Sequence, residues 1–173
     1  PPLNGLATNL KMQGRFAEAE TLLREELELR RELDGADDAN TIYAKISIGS
    51  LFAGQGLNAA AEPWMAEAVA DFLRTQGEAA YDTLNAMGRL AVVLKDQQRF
   101  EEAEKLQRRV IDVSTKAYGE RARVRIGMLN DLGRTYEAQS QFDKAEPLYR
   151  EALELGRVVR GPEDQQTLIY EGN

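Results

Sequence analysis

Apolar residues recur along this chain at three- and four-residue intervals, the spacing that puts side chains on one face of an α-helix. Leu129, Leu132 and Tyr136 form one such face. A polar break at Gln139-Ser140-Gln141 comes next, and Phe142, Ala145, Leu148-Tyr149, Ala152-Leu153 and Leu155 mark a second. No stretch has the strict alternation or β-branched enrichment of a strand. The two-helix pattern returns every 42 residues. Ala-Glu pairs stand at Ala19-Glu20, Ala61-Glu62, Ala103-Glu104 and Ala145-Glu146, and glycines at Gly35, Gly77, Gly119 and Gly161. The series Leu6, Ile48, Leu90, Leu132; Leu27, Val69, Ile111, Leu153; and Leu10, Phe52, Leu94, Tyr136 keep the same register. Several independent series in one period identify an internal repeat.

The pattern predicts first helices over 3–13, 42–55, 84–97 and 126–139, and second helices over 16–33, 58–75, 100–117 and 142–159. Repeats then run 1–41, 42–83, 84–125 and 126–167, with 168–173 either the start of a fifth pair or a C-terminal remnant. One helix pair cannot bury its apolar face alone. The expected fold is therefore all-α, a single right-handed solenoid of antiparallel helix pairs over 1–173. Ala145 is small enough to let two helices approach, and Gly161 is expected just past a second helix in the left-handed region. The turn inside each pair holds Gly14, Gly56, Gln98 and Ser140. With two residues that are not glycine, that turn is expected not to demand a positive φ. Pro63 and Pro147 share a register early in a second helix, where a missing N–H costs least.

In the fourth unit Leu129, Leu132-Gly133, Tyr136, Phe142, Ala145, Tyr149 and Ala152 keep an order of large, large-small, large, aromatic, small, aromatic, small. This resembles the tetratricopeptide repeat signature, and the 42-residue length is similar to the subtype found in kinesin light chains. The resemblance covers essentially the whole chain. It implies a scaffold that binds a protein or peptide, with the first helices lining a concave groove. Register then places Asn4, Thr8, Tyr43, Ile46, Ser50, Asn85, Gly88, Val92, Asn130 and Arg134 on the groove side. Asn4 and Asn130 stand where related arrays hold a peptide backbone, a task suited to an amide because it both donates and accepts. The chain departs from the family pattern in lacking a His-Pro pair between units. It also has Asn58 in place of an aromatic and Lys45 at an apolar position. Asn4, Thr8, Asn85 and Arg89 do not reproduce the cations of arrays that grip a C-terminal carboxylate.

Composition narrows the function. A formal net charge of −7 and a pI near 4.8 argue against nucleic acid and against an anionic membrane surface. The longest apolar run, Leu90 to Leu94, is far short of the ~20 residues of a spanning helix. No basic-then-apolar leader is evident. Histidine and cysteine are absent, which removes the commonest general base, thiol nucleophiles and most transition-metal ligand sets. A non-catalytic protein without metal or cofactor is expected, in a reducing, cytoplasmic setting. Gly49 through Gly56 lacks the Gly-Lys-Ser/Thr ending of a phosphate loop.

The remaining conspicuous residues read as structural. Trp64 aligns with Leu22, Leu106 and Leu148 and is expected in the core. Glu25, Glu26 and Glu28, with Arg24, Arg30 and Arg31, read as a solvated helix face. Asp37-Asp38 and Glu163-Asp164 are expected to favour the N-termini of the helices after them. The chain reads as part of a longer protein. An uncapped C-terminal end around Leu148, Leu155 and Val159 predicts self-association or a missing neighbour. The alternative function is a regulatory module whose superhelix changes pitch when a peptide binds.

Overall fold

Each stretch with the helical apolar spacing folds as a helix, and short turns join them. The computed structural model describes residues 2–160 and 169, with side chains over 5–159 and at 169. In chain order the helices are α1 (Pro2–Met12), α2 (Phe16–Leu33), α3 (Ala39–Ala53), α4 (Asn58–Gln76), α5 (Tyr81–Asp96), α6 (Phe100–Tyr118), α7 (Arg123–Glu137) and α8 (Phe142–Arg160). The four second helices lie where the periodicity predicts them. The first helices α3, α5 and α7 begin three residues earlier than expected. The apolar pattern opens at Ile42, Leu84 and Ile126, whereas the backbone becomes helical after extended residues at Asp38, Ala80 and Ala122. Asp38 is a true cap, accepting from the Asn40 N–H at 2.8 Å. The extra turn carries Thr41, Thr83 and Arg125, all buried.

The turn inside each pair overturns one expectation. Gly14 and Gly56 have positive φ, and so do Gln98 (62°) and Ser140 (60°). All four turns close with the same bond from an N–H to a carbonyl five residues back: Arg15 to Leu10, Leu57 to Phe52, Arg99 to Leu94 and Gln141 to Tyr136, at 2.9–3.0 Å. That Schellman bond forms only when the residue before the donor is left-handed. The conformation is therefore imposed by the turn, and Gln98 and Ser140 adopt it against their own preference. Gly35, Gly77 and Gly119 have positive φ, Gly77 and Gly119 with ψ of 170° and 173°, while Gly161, for which a left-handed conformation is expected, Glu163-Asp164 and the segment 168–173, save Ile169, lie outside the described residues. Pro63 and Pro147 fall in the second turns of α4 and α8, not the first. Both are exposed, so the carbonyl each leaves without a donor can turn to water.

The chain divides into two compact units, Pro1–Gly77 with α1–α4 and Glu78–Asn173 with α5–α8. In the first, Ala7 and Leu10 of α1, Ala19, Leu23 and Leu27 of α2, and Ala44, Ile48 and Leu51 of α3 form a core. Trp64 packs against it, as expected, with the Arg24 guanidinium 5.2 Å above its ring. In the second, Ile126 and Leu129 meet Ala152, and Leu132 and Tyr136 meet Ala145 and Tyr149. A small residue on each first helix sets its distance from the second helix. A Cβ on Gly133 would lie 2.5 Å from Tyr149 Cε1, and one on Gly49 3.0 Å from Met65 Cε. In the other repeats the register pairs Ala7 with Leu23 and Ala91 with Gln107.

Three residues that break the register are buried as polar groups. Lys45 stands where other repeats have Leu3, Met87 and Leu129, and its Nζ donates to Glu67 Oε1 (2.5 Å) and Asp71 Oδ2 (2.6 Å) of α4. Arg125 stands where others have threonine, and its guanidinium donates to Glu151 Oε1 (2.5 Å) and the Glu120 carbonyl (3.1 Å). Glu26 stands where others have Ala68, Val110 and Ala152. The expectation of a solvated face fails for it: Glu26 is 4% exposed, and its Oε2 has no hydrogen-bond partner among the described residues. Its neighbours on α2 do behave as surface pairs, with Arg24 on Glu20 and Arg31 on Glu28. On α8, Leu148, Leu155 and Val159 are partly buried against Ile126 and Leu129, so the exposed apolar residues there are Phe142 and Val158.

Candidate functional site

The side chains that α5 and α7 leave uncovered form the candidate surface of the second unit. The helical stripe that packs inward on α5 is Leu84, Met87, Ala91 and Leu94, and on α7 it is Ile126, Leu129, Leu132 and Tyr136. Of the residues between these stripes, Arg89 and Arg134 are exposed and Asn85, Val92 and Asp131 are half-buried. Of the positions expected on the binding face, Asn85 and Val92 are half-buried and Arg134 is exposed. Gly88 and Asn130 are buried. Gly88 is where α5 and α7 meet, with Met128 Cε 2.5 Å from where a Cβ would stand. Asn130, 5% exposed, already interacts within the chain.

In the first unit Thr8 and Tyr43 are exposed, Ser50 is half-buried and Ile46 is 5% exposed. The Tyr43 ring stands edge-on to Phe72, with centroids 5.3 Å apart. The side chain of Asn4 lies outside the described ones. Thr8, Tyr43, Ser50, Asn85, Val92 and Arg134 are thus the expected residues that reach solvent, whereas Ile46, Gly88 and Asn130 are buried.

Charged residues absent from the expected set share this side of the second unit. Arg89 on α5 is exposed, and neither it nor Arg134 forms a hydrogen bond or ion pair among the described residues. Between the helices lies Asp131. Burial pushes its carboxyl above the usual carboxylate range, against the opposing pull of Arg134 and Lys95. Tyr149 donates from its hydroxyl to Glu137 Oε2 at 2.7 Å, and burial with that carboxylate beside it raises the phenol. Asp131 aligns with Gly5, Ser47 and Arg89, so the position has no common chemistry and periodicity alone gave no signal for it.

The opposite sides of the helices are laced by ion pairs. Arg74 bridges Asp37 (2.7 Å) and Asp71 (3.0 Å), and Asp71 also meets Lys45. Burial alone would raise the Asp71 carboxyl, but hydrogen bonds from Lys45 and Arg74 hold it below the usual range. Between α6 and α7 the Tyr136 hydroxyl donates to Glu104 Oε1 (2.5 Å) and accepts from Arg108 (2.6 Å). Burial would lift the Glu104 carboxyl, and those partners keep it low. Among the described residues no group of three or more carboxylates is placed to hold a metal ion. Among them, too, no helix is long and apolar enough to cross a membrane.

The chain matches the tetratricopeptide repeat family model over residues 2–74 and 82–157. No curated protein matches it. Among solved structures it is similar to the nearly identical repeats of a Podosopora anserina kinesin light chain (TM-score 0.77, 18% identity, 98% of this chain and 80% of that one). It is also similar to BtubC (BKLC) from P. vanneervenii (TM-score 0.80, 22% identity, 98% and 69%). A third likeness is to MamA from Desulfovibrio magneticus RS-1 (TM-score 0.64, 18% identity, 92% and 76%). At these identities the likeness is one of fold.

Proposed function

This chain belongs to the tetratricopeptide repeat family, and on that premise we propose that it is a non-catalytic scaffold binding a partner protein or peptide on the uncovered sides of its first helices. The family is generally made of interaction modules, and the solved neighbours share the kinesin-light-chain-like repeat. The observation that carries the finer reading is the state of Arg89 and Arg134. By contrast, Arg74 of α4, Arg108 of α6 and Arg125 of α7 are tied to carboxylates of the chain. Arg89 and Arg134, with half-buried Asn85 and Val92, are left able to bind a partner. A guanidinium with all five donors free suits a carboxylate or a run of backbone carbonyls.

A displayed library of random peptides, selected on the intact chain, tests the reading. The expected result is that selected peptides lose at least tenfold in affinity when Arg89→Ala and Arg134→Ala are combined. Helical content should stay unchanged, and Lys105→Ala on α6 should have no effect. Peptides that bind the double variant as tightly as the parent would remove the first-helix side as the binding surface.

A further inference from the structure

We infer, on the basis of the first-helix surface just proposed, that the second unit binds a carboxylate of its partner together with one proton, which goes to Asp131. On α7 the residues Met128, Asp131 and Arg134 are spaced three apart and are neighbours along one side of the helix. Met128 is buried, Asp131 half-buried and Arg134 exposed. This row starts at the crossing with α5, where Met128 Cε lies 2.5 Å from the place of a Gly88 Cβ, and Arg89 is the next residue of α5. Toward the C-terminal ends of these helices the charges are engaged inside the chain. Lys95 is bonded to Asp96 at 2.8 Å, and Glu137 accepts from Tyr149 at 2.7 Å. Left over are the guanidinia of Arg89 and Arg134 and the carboxyl of Asp131. None of these side chains forms a hydrogen bond or ion pair among the described residues. Two cations beside a carboxyl shielded from water call for negative charge from the partner, by complementarity.

Asp131 is the group whose charge can change here. Burial pushes its carboxyl up, against the pull of Arg134 on its own helix and Lys95 on α5, while from α8 the Tyr149 hydroxyl feels its charge. A partner carboxylate held by Arg89 and Arg134 adds a second negative charge nearby and disfavours the ionised form further. Asp131 then takes a proton from solvent, and the neutral carboxyl donates its O–H to a carboxylate oxygen of the partner. Composition isolates the effect. With no histidine and no cysteine, no side chain of ordinary pKa between about 6 and 9 competes. Clear shifts of other described carboxyls, at Glu18, Asp37, Asp71, Glu102 and Glu104, are downward. Tyr136 and Tyr149 are raised, away from neutral pH. A proton bound with the partner makes affinity rise as pH falls from the bound-state value of Asp131 to its free value, and level off outside them.

The probe is a short peptide of glutamate and alanine with blocked ends and a rhodamine label, titrated into the intact chain and followed by anisotropy. At about pH 6 and about pH 8 its glutamates stay ionised. Binding should be about tenfold tighter at the lower pH. Asp131→Asn supplies a neutral donor of the same shape, so this variant should bind at the higher pH as tightly as the parent does at the lower one. Circular dichroism checks that it folds. Calorimetry in buffers of different ionisation enthalpy should show about one proton taken up per peptide bound by the parent, and none by Asp131→Asn. Arg89→Ala with Arg134→Ala should weaken the peptide at both pH values. Failure of that double variant to weaken it, or absent saturation, would overturn the carboxylate site together with the surface. If the double variant does weaken it while the parent binds equally at both pH values, or Asp131→Asn keeps the pH dependence, the surface stands and proton uptake is refuted.

Discussion

Gly133→Ala is the sharpest probe of what sets the spacing of a helix pair. An added Cβ would lie 2.5 Å from Tyr149 Cε1 and 2.8 Å from Cδ1, against an ordinary carbon–carbon contact of about 3.5–4.0 Å. The ring has little freedom to yield. It is buried, and its hydroxyl is tied to Glu137 at 2.7 Å. Overpacking by one methyl costs about 1–3 kcal/mol, whereas replacing an interior helical glycine with alanine contributes about 1 kcal/mol of helix propensity. The same helix supplies the control, because a Cβ on Gly127 meets nothing within 4 Å. Gly127→Ala should therefore stabilise the second unit by roughly 0.5–1 kcal/mol, and Gly133→Ala should fall about 2 kcal/mol below it. Adding Tyr149→Gln, the residue that register pairs with Ala91 in the third repeat, should recover about 1 kcal/mol in a double-mutant cycle. Urea unfolding monitored by circular dichroism reads all four variants. If Gly133→Ala stabilises as much as Gly127→Ala, or if the pair is additive, the close approach does not set the spacing.

The polar core and the inner turns lead to further expected outcomes. Gln98→Gly and Ser140→Gly should each stabilise by about 0.5–1 kcal/mol by relieving left-handed backbone at a non-glycine residue. Unchanged urea midpoints would refute the strain. Glu26→Ala should raise stability by about 1–3 kcal/mol, because it removes a buried oxygen without a partner and installs the residue found at positions 68 and 152; a loss on thermal melting would show that the carboxylate is satisfied. Lys45→Met should cost about 1–3 kcal/mol because it leaves Asp71 without its ammonium, and Lys45→Ala about 2 kcal/mol more, since methionine fills the volume as Met87 does while alanine also leaves a cavity. Equal losses would point to the charge. Hydrogen bonds to Lys45 hold Asp71 low, so its stabilisation is present above the unfolded carboxylate value and lost as pH falls through the folded one. Asp131 has the opposite sign. Its raised carboxyl costs the folded state stability once pH rises past the unfolded value, so Asp131→Asn should stabilise at neutral pH and lose that advantage in acid. An advantage independent of pH in urea titrations would contradict this.

Periodicity alone was enough to place the helices, because a 42-residue recurrence of apolar and small residues has only one compact use, stacked helix pairs. It located the second helices and the core role of Trp64. It misplaced the first-helix starts, since those depend on extended cap residues such as Ala80 and Ala122 that carry no apolar signal. It also misjudged the inner turn. The need for positive φ arises from a backbone bond five residues long, and Gln98 and Ser140 meet it despite their side chains.

The candidate surface was legible by register but not by depth. Ile46 and Asn130 share a repeat position with Gly88, and only the packed structure buries them while leaving Thr8, Tyr43 and Arg134 exposed. The breaks in the repeat, Glu26, Lys45 and Arg125, were visible as departures from the pattern. Whether each was a surface residue, a paired charge or an orphan depended on carboxylates 22 to 26 residues away. A linear sequence determines which helix face a residue shares. The tertiary structure decides which of those residues find partners, because burial and ion pairing are set by neighbours that the chain brings together only on folding.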